Sequence, residues 1–184
     1  MKLRPISESW HRIERWLQDR ERIRELAPPA AGQDIARIAE RLGVNLHPDH
    51  MQLLLGHNGS GSFTLPPYYE ILSTNEVVDA WRIKTNVWAD HPHSPYRTHW
   101  VPFASDRAGG VLYLDVSRPD EHIGAHDREG SSLLSSHSMW ASLPSLMHYT
   151  ADALESGHVL DRYRRPCDED DFLLWEVFPD TADN

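Results

Sequence analysis

The chain has 184 residues, of which 18 are Lys or Arg and 28 are Asp or Glu, for a formal charge of −10. That length can bury one good core, and the acidic excess opposes polyphosphate backbones, so direct nucleic-acid binding is not expected and basic partners are favoured. A lone cysteine, Cys167, excludes an internal disulfide and a multi-cysteine zinc site, and the opening MKLRPISESWHRIERWL has no apolar run long enough for a signal peptide or membrane span; a cytoplasmic protein is expected.

Ile6, Trp10, Ile13 and Leu17 recur at helical spacing, with Trp16, Ile23 and Leu26 widening the stripe, and predict an amphipathic helix that runs until Pro28 and Pro29 stop it near Ala27. A second helix is expected from Asp34, which can cap or favour its start. Ile35, Ile38, Ala39 and Leu42 share one face, and Gly43 closes the end. Pro48 suits the first turn of a short third helix carrying Met51, Leu54 and Leu55, ending at His57-Asn58-Gly59-Ser60-Gly61. Tyr68 to Leu72 reads as a strand. Ser73 and Glu76 have the spacing of a capping box for another helix, with Val77, Val78 and Trp81 on its apolar side. Asp90 to Thr98, with Pro92 and Pro95, reads as a surface loop.

The stretch WVPFASDRAGGVLYLD, Trp100 to Asp115, places two apolar runs around a turn, which is the pattern of a hairpin at the centre of a sheet. In its second run Val111 and Tyr113 face one side while Leu112 and Leu114 face the other, so both faces should be covered. Asp106 can start the turn, and Gly109 and Gly110 can supply positive φ. His122 to His126 reads as a further strand with Gly124 at a bulge or close contact, and Ser131 to Ser138 as a polar connection. Ser142-Leu143-Pro144 opens a last helix with Leu143, Leu146, Met147, Thr150 and Leu154 on one side and Gly157 at its end. The acidic stretch Asp168 to Asp171 precedes Phe172 to Trp175, which can lay a strand on the body. Arg162, Arg164 and Arg165 read as a solvated turn.

The central stretch, with its Pro-Phe-Ala, its Gly-Gly turn and a strand ending in Asp, resembles the SUKH superfamily, named partly for a fungal cell-wall regulator of the Smi/Knr type. LGVNLHPDHMQLLLGHNGSG resembles the N-terminal half of the same family, although His47 separates Leu46 from Pro48 where many members have Leu-Pro directly. MWASLPSLMHYTADALESG resembles its C-terminal helix, with Trp140-Ala141-Ser142-Leu143 at the entry. The resemblance implies an α+β fold: helices in 1–60, a central antiparallel-rich sheet in 66–130 with one inserted helix, a C-terminal helix in 140–157 and an extension in 158–184, all in one domain. Because bacterial members are largely immunity proteins, it also implies a binding protein that neutralises a toxin, with no catalytic residues and no cofactor.

Other chemistry competes weakly. His91, His93 and His99 with Asp90 form one histidine loop, but stiffening prolines and missing ligand spacing argue against zinc. His122 and His126, with Asp127 and Asp115, offer another cluster, yet residues four apart on a strand lie roughly 13 Å apart and read better as solvent-facing. At Gly59-Ser60-Gly61 the glycine that a nucleophile elbow needs two residues before the serine is replaced by Asn58, and the carboxylates after Cys167 oppose a thiolate. Trp10, Trp16 and Trp81 are expected in the core. Trp88 and Trp100 border the histidine loop and are candidate binding anchors, with core packing as the competing reading. Asp120 and Glu121 in a turn, and Asp168, Glu169, Asp170 and Asp171, are candidate steering charges toward a basic toxin domain such as a nuclease. The alternatives are a scaffold or regulatory protein without a toxin partner and a metal-dependent hydrolase built on the histidines.

Overall fold

A computed structural model describes residues 4–88, 90–91, 96–118, 123–130, 132–134, 141–158, 164–169 and 172–177. The first helix, α1 (Ile6–Gln18), buries Ile6, Trp10, Ile13, Trp16 and Leu17 on the expected stripe. It stops well before Ala27. Glu21 takes a left-handed φ of 57°, and the Arg22 N–H donates to the Leu17 carbonyl at 2.8 Å. A short 3₁₀ turn, Ile23–Glu25, follows and is held by an Arg22–Glu25 ion pair. Leu26 returns to the core while Ile23 faces solvent. A non-glycine residue in this conformation leaves no compositional signal, so the apolar spacing overran the helix.

The second helix, α2 (Gly32–Leu42), buries Ile35, Ile38 and Leu42 and ends where Gly43 takes φ 66°, a conformation that costs glycine little. Asp34 sits in its first turn beside Arg37, favouring the positive end of the helix without capping it. In α3 (Pro48–Gly56) the His47 ring caps the start by accepting from the Asp49 N–H. Its inward face differs from expectation. His50, Leu53 and Leu54 are buried, whereas Met51 and Leu55 are 36% and 52% exposed. The helix turns this way because the Trp10 indole donates to the Leu53 carbonyl at 3.1 Å and its ring lies against Gly56, where a Cβ would strike it.

The strands are β1 (Thr64–Leu65), β2 (Tyr69–Ile71), β3 (Trp100–Ser105), β4 (Val111–Asp115), β5 (Ile123–His126) and β6 (Ser132–Leu134), in a six-stranded antiparallel sheet whose spatial order follows the chain. The strand β6 lies inside the segment expected to be only a polar connection, and Gly124 on β5 is its neighbour. Between β2 and β3 runs α4 (Thr74–Trp88), opened by the expected capping box: the Ser73 N–H donates to Glu76 at 2.8 Å and the Glu76 N–H to Ser73 Oγ at 3.4 Å. At the β3–β4 tip Asp106 Oδ1 accepts from the Ala108 and Gly110 N–H groups, while Arg107 and Gly109, instead of the Gly109-Gly110 pair, adopt positive φ. Arg107 reaches Glu70 and Glu76, which ties the tip to β2 and to the start of α4.

Both faces of the sheet are covered. On one side Ile71, Phe103, Ala104, Leu112, Leu114 and Ile123 meet α1, Leu53 and α5 (Leu143–Ser156), which starts at the Ser142 cap and ends at Gly157. The register shift between Pro102 and Ala104 brings consecutive Phe103 and Ala104 into this core and accommodates a proline within an interior strand. On the other side Leu72 and Val101 pack with α2 and α4, and Val111 and Tyr113 with Tyr96. Gly124 sits opposite Tyr113, and a Cβ there would fall inside the tyrosine ring. A hairpin of β7 (Arg164–Glu169) and β8 (Phe172–Val177) contributes Leu173 and Trp175 to the first core, and the Trp175 indole donates to the Thr64 carbonyl at 2.9 Å. Arg12 binds Asp152 and Glu155 and closes α1 onto α5.

Leu112 is 2% exposed at the sheet's centre, so Leu112→Ala should destabilise by about 2 to 5 kcal/mol in denaturant melts. His50 is 1% exposed beside Phe103, with no hydrogen-bond partner for either ring nitrogen among the described residues. Burial, and after it His47, lowers its pKa from 6.5 to about 4. The unfolded chain then takes up this proton first as the pH drops below about 6.5, so stability falls with pH until about 4. A loss of about 2 kcal/mol is expected between about pH 7.5 and pH 5, and His50→Leu should flatten that slope. An equally steep slope in the variant would assign the acid sensitivity to another group.

Candidate functional site

Along α4, Val77, Trp81, Lys84 and Trp88 recur at spacings of four, three and four, so a lysine occupies a slot in an inward-facing row. Lys84 is buried. Its Nζ donates to His126 Nδ1 at 2.9 Å, to the His126 carbonyl at 3.2 Å and to the Asp127 carbonyl at 2.9 Å, which uses all three ammonium hydrogens. An ammonium can only donate, so Nδ1 of His126 accepts and the ring carries its proton on Nε2. Burial lowers the Lys84 pKa to about 8, against the pull of Asp127 and then Asp106, and the amine is still charged at neutral pH.

Aromatic rings enclose this clamp. The ring of His126 lies 5.3 Å from Trp88 and 5.2 Å from Tyr96, while Trp100 stacks on Tyr113 at 4.4 Å with 15° between the planes. Tyr96 donates from its hydroxyl to the Trp100 carbonyl at 3.1 Å, and burial pushes its phenol well above the ordinary value. The Trp100 indole N–H reaches Asp115 Oδ2 at 3.3 Å, and the turn at Gly130 crosses directly over the Trp88 ring. The structure therefore brings Trp88 and Trp100 into one cluster, each half-buried and each packed on its inner side.

The other sequence candidates separate. His126, expected to face solvent, is fully buried, because the strand register points it at Lys84. Tyr96, inside the expected surface loop, is buried as well. His91 packs on Trp88 and His99 faces Asp115 at 3.7 Å, while His93 and His122 lie outside the described residues. Among the described residues no group of three or more His, Cys, Asp or Glu is placed to hold a metal ion. The Ser60 hydroxyl is buried and accepts from the Ile71 N–H at 2.8 Å, which makes it a brace between loop and strand. Asp120, Glu121, Asp170 and Asp171 lie outside the described residues; Asp168 and Glu169 are paired in register with Leu173 and Phe172 at the closed end of the hairpin, and only their backbone is described. The same holds for Cys167.

The comparison with known families gives the description SMI1 / KNR4 family (SUKH-1) over residues 29–141, more than half of the 184-residue chain. The chain belongs to that family. No curated protein matches it. The matched SUKH-1 segment begins in the linker before α2 and ends just before α5, so it holds the whole sheet and the aromatic cluster but neither α1 nor α5. Sequence reasoning missed Lys84, Tyr96 and His126 as members of the cluster. The lysine was findable, since a charge in an otherwise apolar helical row demands buried acceptors; the two rings depend on tertiary packing. No helix among the described residues is long and apolar enough to cross a membrane.

Lys84→Met keeps most of the packing volume but removes the donor to the buried His126 carbonyl and imidazole and to the Asp127 carbonyl, so a loss of about 1 to 3 kcal/mol is expected in thermal or denaturant melts. An unchanged midpoint would show that these acceptors find solvent and that the clamp contributes nothing.

Proposed function

We propose that the chain is a non-catalytic protein-binding module, and specifically an immunity protein that neutralises a cognate bacterial toxin by covering it. The observation that carries this reading is membership of the SUKH-1 family over residues 29–141. Two features support it. The formal charge of −10 favours a basic partner, for which a nuclease domain is the fitting toxin class. Three buried polar side chains that could do chemistry are committed to the framework: Ser60 to Ile71, Lys84 to His126 and Asp127, and His57 to Ala27 and Glu14. The protein acts in the cytoplasm in this reading, and needs no cofactor.

Asp120, Glu121, Asp168, Glu169, Asp170 and Asp171 would then accelerate encounter through long-range attraction. Tagged protein recovered from its native lysate should carry a stoichiometric basic protein domain that arrests growth when expressed alone and is silent when co-expressed with this chain. Neutralising the six carboxylates should slow association and flatten its salt dependence below roughly 0.15 M. A chain that co-purifies with a cellular complex lacking any toxic component would replace this reading with a scaffold.

A further inference from the structure

The outer side of α4 bears Ile83 and Val87, one turn apart and each 63% exposed, the most exposed large apolar side chains among the described residues. They form an i,i+4 row on the solvent side of the helix, each adjoining in sequence a residue of the inward row, Lys84 and Trp88. Most exposed apolar residues are scattered singly and carry no meaning. This pair differs in lying on a stiff element whose inner face is fastened by Lys84, so an approaching partner meets it without ordering a loop.

The surroundings give the sign of the partner. Asp79 and Asp90 stand exposed one turn before Ile83 and three residues beyond Val87, and the turn that covers Trp88 carries exposed Asp127 and Glu129. Against these four carboxylates stand exposed Arg82 and Arg128, and the last turn of α4 has no basic residue to offset the negative end of the helix. From this juxtaposition we propose that the Ile83–Val87 strip is a docking face for a partner protein presenting an apolar helix surface rimmed by lysine or arginine. Apolar contact supplies the adhesion, and the carboxylates around the strip orient the partner. This deepens the protein-binding reading and rests on it, naming the face and the chemistry of what it takes.

Two synthetic amphipathic helices serve as probes, one built of leucine and lysine and the other of leucine and glutamate, each titrated into methyl-labelled full chain and followed by NMR. The leucine–lysine helix should shift the Ile83 and Val87 methyl signals, and the leucine–glutamate helix should leave them in place. Replacing both residues, Ile83→Glu with Val87→Glu, should weaken binding by about tenfold or more, while Met51→Glu with Leu55→Glu on α3 should not change it. The wild-type methyl shifts need no variant, so an unfolded variant does not rescue the idea. Binding that moves the Met51 and Leu55 signals instead, or affinity untouched by the Ile83 and Val87 changes, would overturn the face while leaving the protein-binding reading intact. No binding of either helix would overturn the proposal, and the co-purification result would still judge the reading beneath it.

Discussion

The burial of β4 on both faces is the constraint from which the rest of the architecture follows. Leu112 and Leu114 point to one side and Val111 and Tyr113 to the other, and all four are nearly inaccessible. A strand of this kind needs a neighbour along each edge, supplied by β3 and β5, and a cover over each face. The covers are unequal in kind. One is the α1 and α5 pair, joined by Arg12 to Asp152 and Glu155, with the Trp10 edge keyed into α3. The other is α2 with α4, completed by tyrosine and tryptophan rings where helical cover ends. Since the family match stops short of α1 and α5, the matched segment lacks the two helices that complete the core around Leu112 and Leu114 on their face of the sheet.

Lys84 shows how that second cover is fastened. A helix can be held to a sheet by apolar contact alone, but such contact is non-directional and tolerates sliding. An ammonium that uses every hydrogen on fixed acceptors at the end of β5 sets both the depth and the rotation of α4. Burying the charge costs free energy, visible in its lowered pKa, and the cost is offset only while all three acceptors are in place. Fixing the rotation of the helix decides which residues remain outside, so the exposure of Ile83 and Val87 follows from the position of Lys84 on the inner side.

How far the amino-acid order reveals this depends on whether the cause is local. The hairpin around Asp106, the Ser73 and Glu76 box, the Ser142 cap and the Gly43 and Gly157 stops are each decided by a few adjacent residues, and each was legible. Gly124 was legible as a close contact, although only the structure names Tyr113 as the reason. The end of α1 was not, because the left-handed residue that stops it is Glu21, with no glycine or proline to announce the stop. Nor was the rotation of α3: Met51 and Leu55 are more apolar than His50, yet His50 is the residue turned inward, since the Trp10 bond to Leu53 settles the helix's angle. At the candidate site the sequence picked out Trp88 and Trp100 but read the intervening segment as surface, since no periodicity announces that Tyr96 will fold back between them.

Charge and apolar surface divide the work of recognition by range. A net charge of −10 acts across a Debye length of roughly 8 Å in physiological salt and so bears on how often a basic partner arrives in a useful orientation. It does little for how long that partner stays, because exposed ion pairs contribute weakly once formed. Residence requires desolvated apolar contact, and an acidic chain achieves it only where some surface is spared carboxylates. Along α4 that sparing is narrow: Asp79 in the helix and Asp90 just past its end bracket the strip, and the inner positions are taken by Lys84 and Trp88. A partner that is basic without an apolar centre would be drawn to this protein and released again, whereas one that joins both properties would be held. Under the immunity reading this is the discrimination required, since a cytoplasm contains many basic proteins and only one of them is the toxin to be covered.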